Sequence, residues 1–456
     1  MTAAPLHASQ TRRAAVLVAL GLLLFTVVGT CLHVLPAEKQ LTWVAPRASN
    51  GDEPHYLVAV FSLLEDGDLD LTDDYRSANL GGPELGLRNT GQTCDHHTFW
   101  VARDRCEVIR WWDAFDAKRV VPCDTASCTP FASTAPLPEG AKERPLHPPG
   151  YPVFLALLLW PFHLSPASIE VGVAMVTMVL GWAVLLLTFL CGRRLGWSLA
   201  WSLLPVGLVI ASPVMVYVRS FFTEPGITFC LVAALAGFVS GRFRWAGAAL
   251  GLAVCFKPNF LLFGVAWVAT AFVSRNRRAA LQLLTTFLPV AGAGSFALTY
   301  WLLCRWLLPM PDGTFWPLTA EAADVTFFSA QHGLFRFVPW FIPLALLTLF
   351  GLSKPDTRLI SVLVLLPTAA MTVVFLGNGV HPGYSYGPRY WVPMLPLVAI
   401  AGVAGLKAMA ARPARLALLG VIGAGLFSAL SALPDLVLSD GSSLFNRPPF
   451  IERVGP

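Results

Sequence analysis

The chain has 456 residues, 55% of them hydrophobic and only 13% charged, with a net charge of +5. A soluble domain carries about a quarter charged residues, so a mean hydropathy of +0.62 argues against that class and for an integral membrane protein. The positive charge needs no nucleic acid to account for it, because the basic residues fall in short clusters between apolar runs, as in cytoplasmic loops.

Arg12 and Arg13 precede an apolar run over 14–35. It reads as an uncleaved first span with its N-terminus in the cytoplasm. Further spans are expected at 168–191, 198–218, 226–241, 245–256, 259–273, 283–308, 336–352, 359–376, 389–406 and 414–433. Two stretches are ambiguous. The run 151–163 is apolar but short, and contains Pro152 and Pro161. The run 245–273 is too long for one ordinary span and is interrupted by "KPN" at Lys257. Charge decides both. With 151–163 at the interface and 245–273 as two short crossings, the clusters at Arg12, Arg193, Arg242, Arg275, Lys354, Lys407 and Arg412 share one side, the cytoplasm. The expected fold is an all-α polytopic membrane protein of about eleven transmembrane helices. It forms one transmembrane domain over 1–456, N-terminus in and C-terminus out. A large exoplasmic first loop, 36–150, contains interfacial helices, and 434–456 is an exoplasmic tail.

That loop holds four of the nine cysteines, Cys94, Cys106, Cys123 and Cys128. An oxidising compartment favours two disulfides among them, with three possible pairings. Free thiols and a metal site are the alternatives, though the spacing is not a convincing zinc pattern. The other five cysteines lie in apolar runs, where a thiol behaves as a small hydrophobe.

With this topology the unusual polar residues collect on the exoplasmic side. They are Asp52 and Glu53 at the start of the loop, His147 at its end, Glu224 in "FFTEP", Lys257 in "KPN", His332 in "SAQHGLF", and His381 and Arg389 in "HPGYSYGPRYWVP". A charge in a span costs about 2.5–3.5 kcal/mol on insertion scales, so such residues line cavities or pair with one another. Acids and cations converging on one face suit a substrate with an anionic group, such as a phosphate at the bilayer surface. Each also has a plain structural reading. Asp52 and Glu53 open a stretch with helical apolar spacing at Tyr56, Val60, Leu63 and Leu64. Glu224 before Pro225 suits a helix N-terminus. Lys257 is placed to snorkel, Arg389 to cap a span, and each histidine to sit at an interface. The alternating acids Asp66, Asp68, Asp70, Asp73 and Asp74 lack the glycine and distal glutamate of an EF-hand. No Ser/His/Asp order, P-loop or His-rich metal signature is present.

Several motifs in order resemble the GT-C superfamily of membrane glycosyltransferases. These are "GDEPHYL", "HPPGYPVFLALLLWPF", "FFTEP", "GLAVCFKPN", "HGLFRFVPWF" and "YGPRYWVPMLPL". The resemblance is to the branch related to protein O-mannosyltransferases and aminoarabinose transferases. It implies transfer of a sugar, hexosyl or mannosyl-like, from a polyprenyl-phosphate carrier to a hydroxyl of protein, lipid or glycan. It implies an exoplasmic active site, in a bacterial plasma membrane, and usually inversion. Asp52 matches the preferred general base and Glu53 its neighbour. Glu224 matches the acid of the second exoplasmic loop, and Lys257 the basic residue facing the carrier phosphate. His55, His147, His332, His381, Tyr386 and Arg389 join these two as candidate substrate-binding residues. The donor would be the lipid-linked sugar. No metal or other cofactor is expected, although a divalent cation is compatible. The extra exoplasmic domain of protein mannosyltransferases is not evident, which speaks against a protein acceptor. The competing reading is a transporter or flippase of a lipid-linked sugar. That would place polar groups through the membrane depth, whereas here they cluster on one face.

Overall fold

The computed structural model describes residues 4–35, 40–43, 52–71, 74, 98–102, 107–110, 141–145, 147–306, 319–377 and 387–438. The chain is mostly helical. Among the described residues, four helices are long and apolar enough to cross a membrane: Ser168–Arg194, Pro355–Leu376, Arg389–Lys407 and Ala411–Ala432. Of the other expected spans, 283–308 falls within the 30-residue helix Arg277–Trp306, and several others are shorter or interrupted helices. The run 198–218 breaks into Leu199–Ile210 and Val214–Val218, where Pro213 and the Ser212 hydroxyl interrupt the helical ladder. The run 336–352 begins with the turn Leu334–Phe337 before helix Phe341–Gly351. The first helix, Ala4–Cys31, stops short of the expected end.

The all-α expectation needs one correction. Leu32–Leu35 is a strand, paired antiparallel with Gln40–Trp43. Thr98–Ala102 is the middle strand of a three-stranded antiparallel sheet, between Glu107–Arg110 and Ala141–Pro145. Phe99, Trp100, Val101, Val108 and Ile109 are aromatic or β-branched, the side chains that fit a pleated surface. The loop after the first helix is helical at Glu53–Glu65, whose apolar side chains from Tyr56 to Phe61 are buried.

The centre of the bundle is helix Leu395–Lys407, with every side chain from Leu395 to Leu406 buried. Helices that are apolar all round are buried all round. Helix Phe341–Gly351 lies against it at very short range. A Cβ on Gly405 would stand 1.9 Å from the Leu347 carbonyl oxygen, and one on Gly402 2.6 Å from Leu344. Small residues let backbones approach closely.

The same device builds the hairpin that carries Lys257. Helix Phe243–Phe256 packs on helix Arg277–Trp306 through Gly247 and Gly251, which face Leu283 and Phe287. Helix Leu261–Val273 returns along the same partner, with Gly264 under the Phe287 ring. Gly251 and Gly264 therefore meet one residue at one level, on either side of Lys257. The two helices run in opposite directions with Lys257 at the turn. Pro258 causes the turn, because the residue before proline is pushed out of helical geometry; Lys257 has φ −152° and ψ 109°.

The basic turns collect at the far end. Arg242 precedes the first hairpin helix, and Arg275 and Arg277 follow the second. Lys407, at the other end of the central helix from Arg389, stands 5.3 Å from the Trp201 ring, close to the Arg193–Arg194 turn. Two poles result: one basic, the other holding the polar groups described next. The run 151–163 forms helix Gly150–Leu159 and a 3-10 turn at Trp160–Phe162. Leu157, Trp160 and Phe162 project outward from it.

Candidate functional site

Four chain segments meet at the non-basic pole, and local sequence places a charge at the start of each. Asp52 occupies the N-cap position of helix Glu53–Glu65, with Pro54 in the first turn. Glu224 is the first residue of helix Glu224–Val239, again followed by proline. Lys257 sits at the hairpin turn. Arg389 opens the 3-10 turn Arg389–Met394 that feeds the central helix. Carboxylates at helix N-termini are favoured by the backbone dipole. Gly387, with φ +54°, lets the chain turn into Arg389, and a Cβ there would also press on the Phe337 ring at 2.9 Å.

The four charges form one network. Arg389 Nε donates to Glu224 Oε1 at 2.9 Å, and its terminal nitrogen donates to Asp52 Oδ2 at 2.6 Å. Lys257 Nζ donates to the same Glu224 oxygen at 3.3 Å. His147 Nε2 lies 3.5 Å from the other Asp52 oxygen. Thr223 Oγ1 donates to Glu224 Oε2 at 3.5 Å. Burial is graded. Glu224 is 1% exposed and Arg389 6%, whereas Asp52 is 18% and Lys257 24% exposed. The inner pair is sealed and the outer pair reaches a surface. Charge-assisted bonds of this length are the strong ones, and a sealed ion pair persists only because each charge is satisfied.

Aromatic rings frame the network. The Arg389 guanidinium lies 4.0 Å over the Phe222 ring, and Lys257 Nζ 4.6 Å over the Tyr390 ring. Such contacts stabilise desolvated cations. Tyr56 is buried, with its ring 5.3 Å from that of His147 and 6.2 Å from that of Tyr151. Burial, then the Asp52 charge, holds the Tyr56 phenol well above its ordinary value, so it stays protonated. The Tyr151 hydroxyl is buried with no hydrogen-bond partner among the described residues. Arg389, the rings of Phe375, Tyr390 and Trp391, Thr326 and His332 together line a small recess, with a volume of about 20 Å³.

The structure thus brings together Asp52, His147, Glu224, Lys257 and Arg389. Glu53 turns elsewhere with one oxygen, which accepts from the Phe221 backbone N–H at 2.7 Å. That bond ties the loop helix to the segment leading into Glu224. His332 is buried beside the recess, with its backbone N–H on Ser329 Oγ. His55 is buried in the first turn of its helix. His381 and Tyr386 lie outside the described residues, as do Cys94, Cys106, Cys123 and Cys128. Among the described residues, Cys31, Cys191, Cys230 and Cys255 are free thiols, and no group of three or more His, Cys, Asp or Glu side chains is placed to hold a metal. Tyr56, Thr223 and Phe222 were not anticipated as site residues. Only their position within three residues of an acid in "GDEPHYL" and "FFTEP" could have marked them.

No protein-family profile matches this chain, and no curated protein sequence matches it. Among solved structures it is similar to ArnT from Cupriavidus metallidurans bound to undecaprenyl phosphate, at 14% sequence identity and a TM-score of 0.47. Against ArnT in the apo state the identity is 14% and the TM-score 0.45. Both matches cover 91% of this chain but 63% of the other, so the chain spans less than two thirds of those proteins' length.

Proposed function

We propose that this chain is a membrane glycosyltransferase of the GT-C type, moving a sugar from a polyprenyl-phosphate carrier to a hydroxyl acceptor with inversion. The observation that carries it is the ion network of Asp52, Glu224, Lys257 and Arg389 at the pole opposite the basic turns. The positive-inside bias makes that pole exoplasmic, in a bacterial plasma membrane. There a lipid tail lying in the bilayer would hold its phosphate and sugar at the height of the network.

The chemistry follows from the residue types. The leaving group is an anionic phosphate, and Lys257 and Arg389 stabilise the charge that grows on it. Asp52, at the exposed edge, takes the acceptor's proton as the C–O bond forms. One base on the face opposite the leaving group suffices for inversion. A phosphate arriving on Arg389 competes with Asp52 for its terminal nitrogen, so donor binding releases the carboxylate for this role. Glu53 is the alternative base; its bond to Phe221 supports an anchoring role for it. A disulfide-bonded first loop completes the reading. Purified protein incubated with radiolabelled polyprenyl-phosphate sugars and lipid, glycan or peptide acceptors should yield labelled product, and Asp52→Asn should slow its formation by about 10²–10⁴. No transfer from any donor, with label instead moving across vesicle membranes, would replace this reading with a flippase.

A further inference from the structure

We propose that Glu224 is a specificity-determining residue of this site, a built-in counter-charge that weakens the hold of Lys257 and Arg389 on the phosphate monoester left after transfer. The inference rests on the transferase reading above.

Of the two network acids, only Glu224 is fixed in place. It is 1% exposed, and a single oxygen accepts from both cations while the other faces Thr223. Its backbone starts a helix whose first turn is buried against Tyr151 and Phe256 through Gly226. Leaving its position would take an acceptor from two cations at once. Asp52 differs. It is partly exposed and bound to a different nitrogen of Arg389, so a ligand can displace it. A phosphate entering beside the partly exposed Lys257 therefore meets cations already shared with an acid behind them.

The charge balance of the reaction shows what that acid does. The donor is a phosphodiester with one negative charge. In the transfer, the acceptor oxygen bonds to the anomeric carbon. The bond from that carbon to the phosphate oxygen breaks, and its electron pair stays on the phosphate. The acceptor's proton goes to Asp52. The phosphate becomes a monoester with one charge more, and Asp52 becomes neutral. Counting the four networked side chains and the phosphate, two cations face three negative charges before the step and three after it. Without Glu224, two cations would face two charges on the product. That balanced complex would dissociate slowly, because affinity differences between related complexes reside mostly in dissociation rates.

The test uses the full chain in phosphatidylcholine nanodiscs, titrated with farnesyl phosphate (a monoester) and with methyl farnesyl phosphate (a diester). Glu224→Gln should bind the monoester at least about tenfold more tightly than wild type, the effect expected of one missing charge a few ångström away. The diester should gain less. Under turnover, kcat should fall while KM stays level or drops, with a burst of first-turnover product. A second pair of variants guards against a folding failure, since Glu224→Gln leaves two buried cations underpaired. Glu224→Gln in a Lys257→Met background restores the balance and should tighten monoester binding relative to Lys257→Met alone. Unchanged or weaker monoester affinity in both comparisons overturns the proposal while leaving the phosphate site standing. Failure of wild type to bind either ester overturns the proposal and the transferase reading together.

Discussion

At the scale of single residues, charge was legible and aromatic support was not. Asp52, Glu224, Lys257 and Arg389 stand out because a charge in an apolar chain is costly unless paired, and all four lie on one expected face. Tyr56, Phe222 and Tyr390 do not stand out, because in a chain this rich in aromatics they look like core. The network makes firm demands on substitutions. Asp52→Asn keeps the shape and loses the proton acceptor. Turnover should fall by about 10²–10⁴, with donor binding retained in an equilibrium titration. Glu53→Gln preserves an oxygen for the Phe221 N–H and should be milder. A reversed ranking would exchange the two roles. Lys257→Ala should weaken donor binding, with only partial rescue by arginine, whose planar group differs from an ammonium in size and hydration. Equal donor affinity in wild type and Lys257→Ala would remove Lys257 from the phosphate site.

At the scale of elements, breaks were read well where proline announced them and missed where several weak signals combined. The turn at Lys257 follows from Pro258. The interruption within 198–218 depends on Pro213 together with a side chain, Ser212, that bonds back to Val209. The strands at Leu32–Leu35 and Thr98–Ala102 are too short for a two-residue period to stand out from the surrounding apolar pattern. Contact between helices, by contrast, turns on single glycines. Gly405→Ala drives a methyl into the Leu347 carbonyl, and overpacking of this kind costs roughly 1–3 kcal/mol. Its melting temperature in detergent should drop clearly. Gly420→Ala, in a helix where an added Cβ meets nothing within 4 Å, is the control and should leave it nearly unchanged. Equal melting temperatures would mean that the central contact is looser than the geometry implies.

At the scale of the whole molecule, sidedness is the quantity to measure. Cysteine-accessibility labelling should find 193–197 and 274–278 in the cytoplasm and 36–150 outside. An exoplasmic Arg275 would break the hairpin assignment and carry Lys257 away from its partners. Non-reducing peptide mapping should find two disulfides among Cys94, Cys106, Cys123 and Cys128. Loss of one should cost about 2–5 kcal/mol, and four free thiols after oxidative preparation would exclude the pairing.

The spread of the network along the chain also dictates its order of assembly. Asp52 leaves the ribosome far ahead of Glu224 and Lys257, and Arg389 comes last, 337 positions after the acid it binds. Between the emergence of Lys257 and that of Arg389 the inner carboxylate has only a lysine, and the outer one lacks the guanidinium that will hold it. Such a half-built cluster is poorly satisfied in an apolar setting. The nascent protein thus carries an electrostatic record of its own incompleteness, erased only when the final third of the chain is threaded into the membrane.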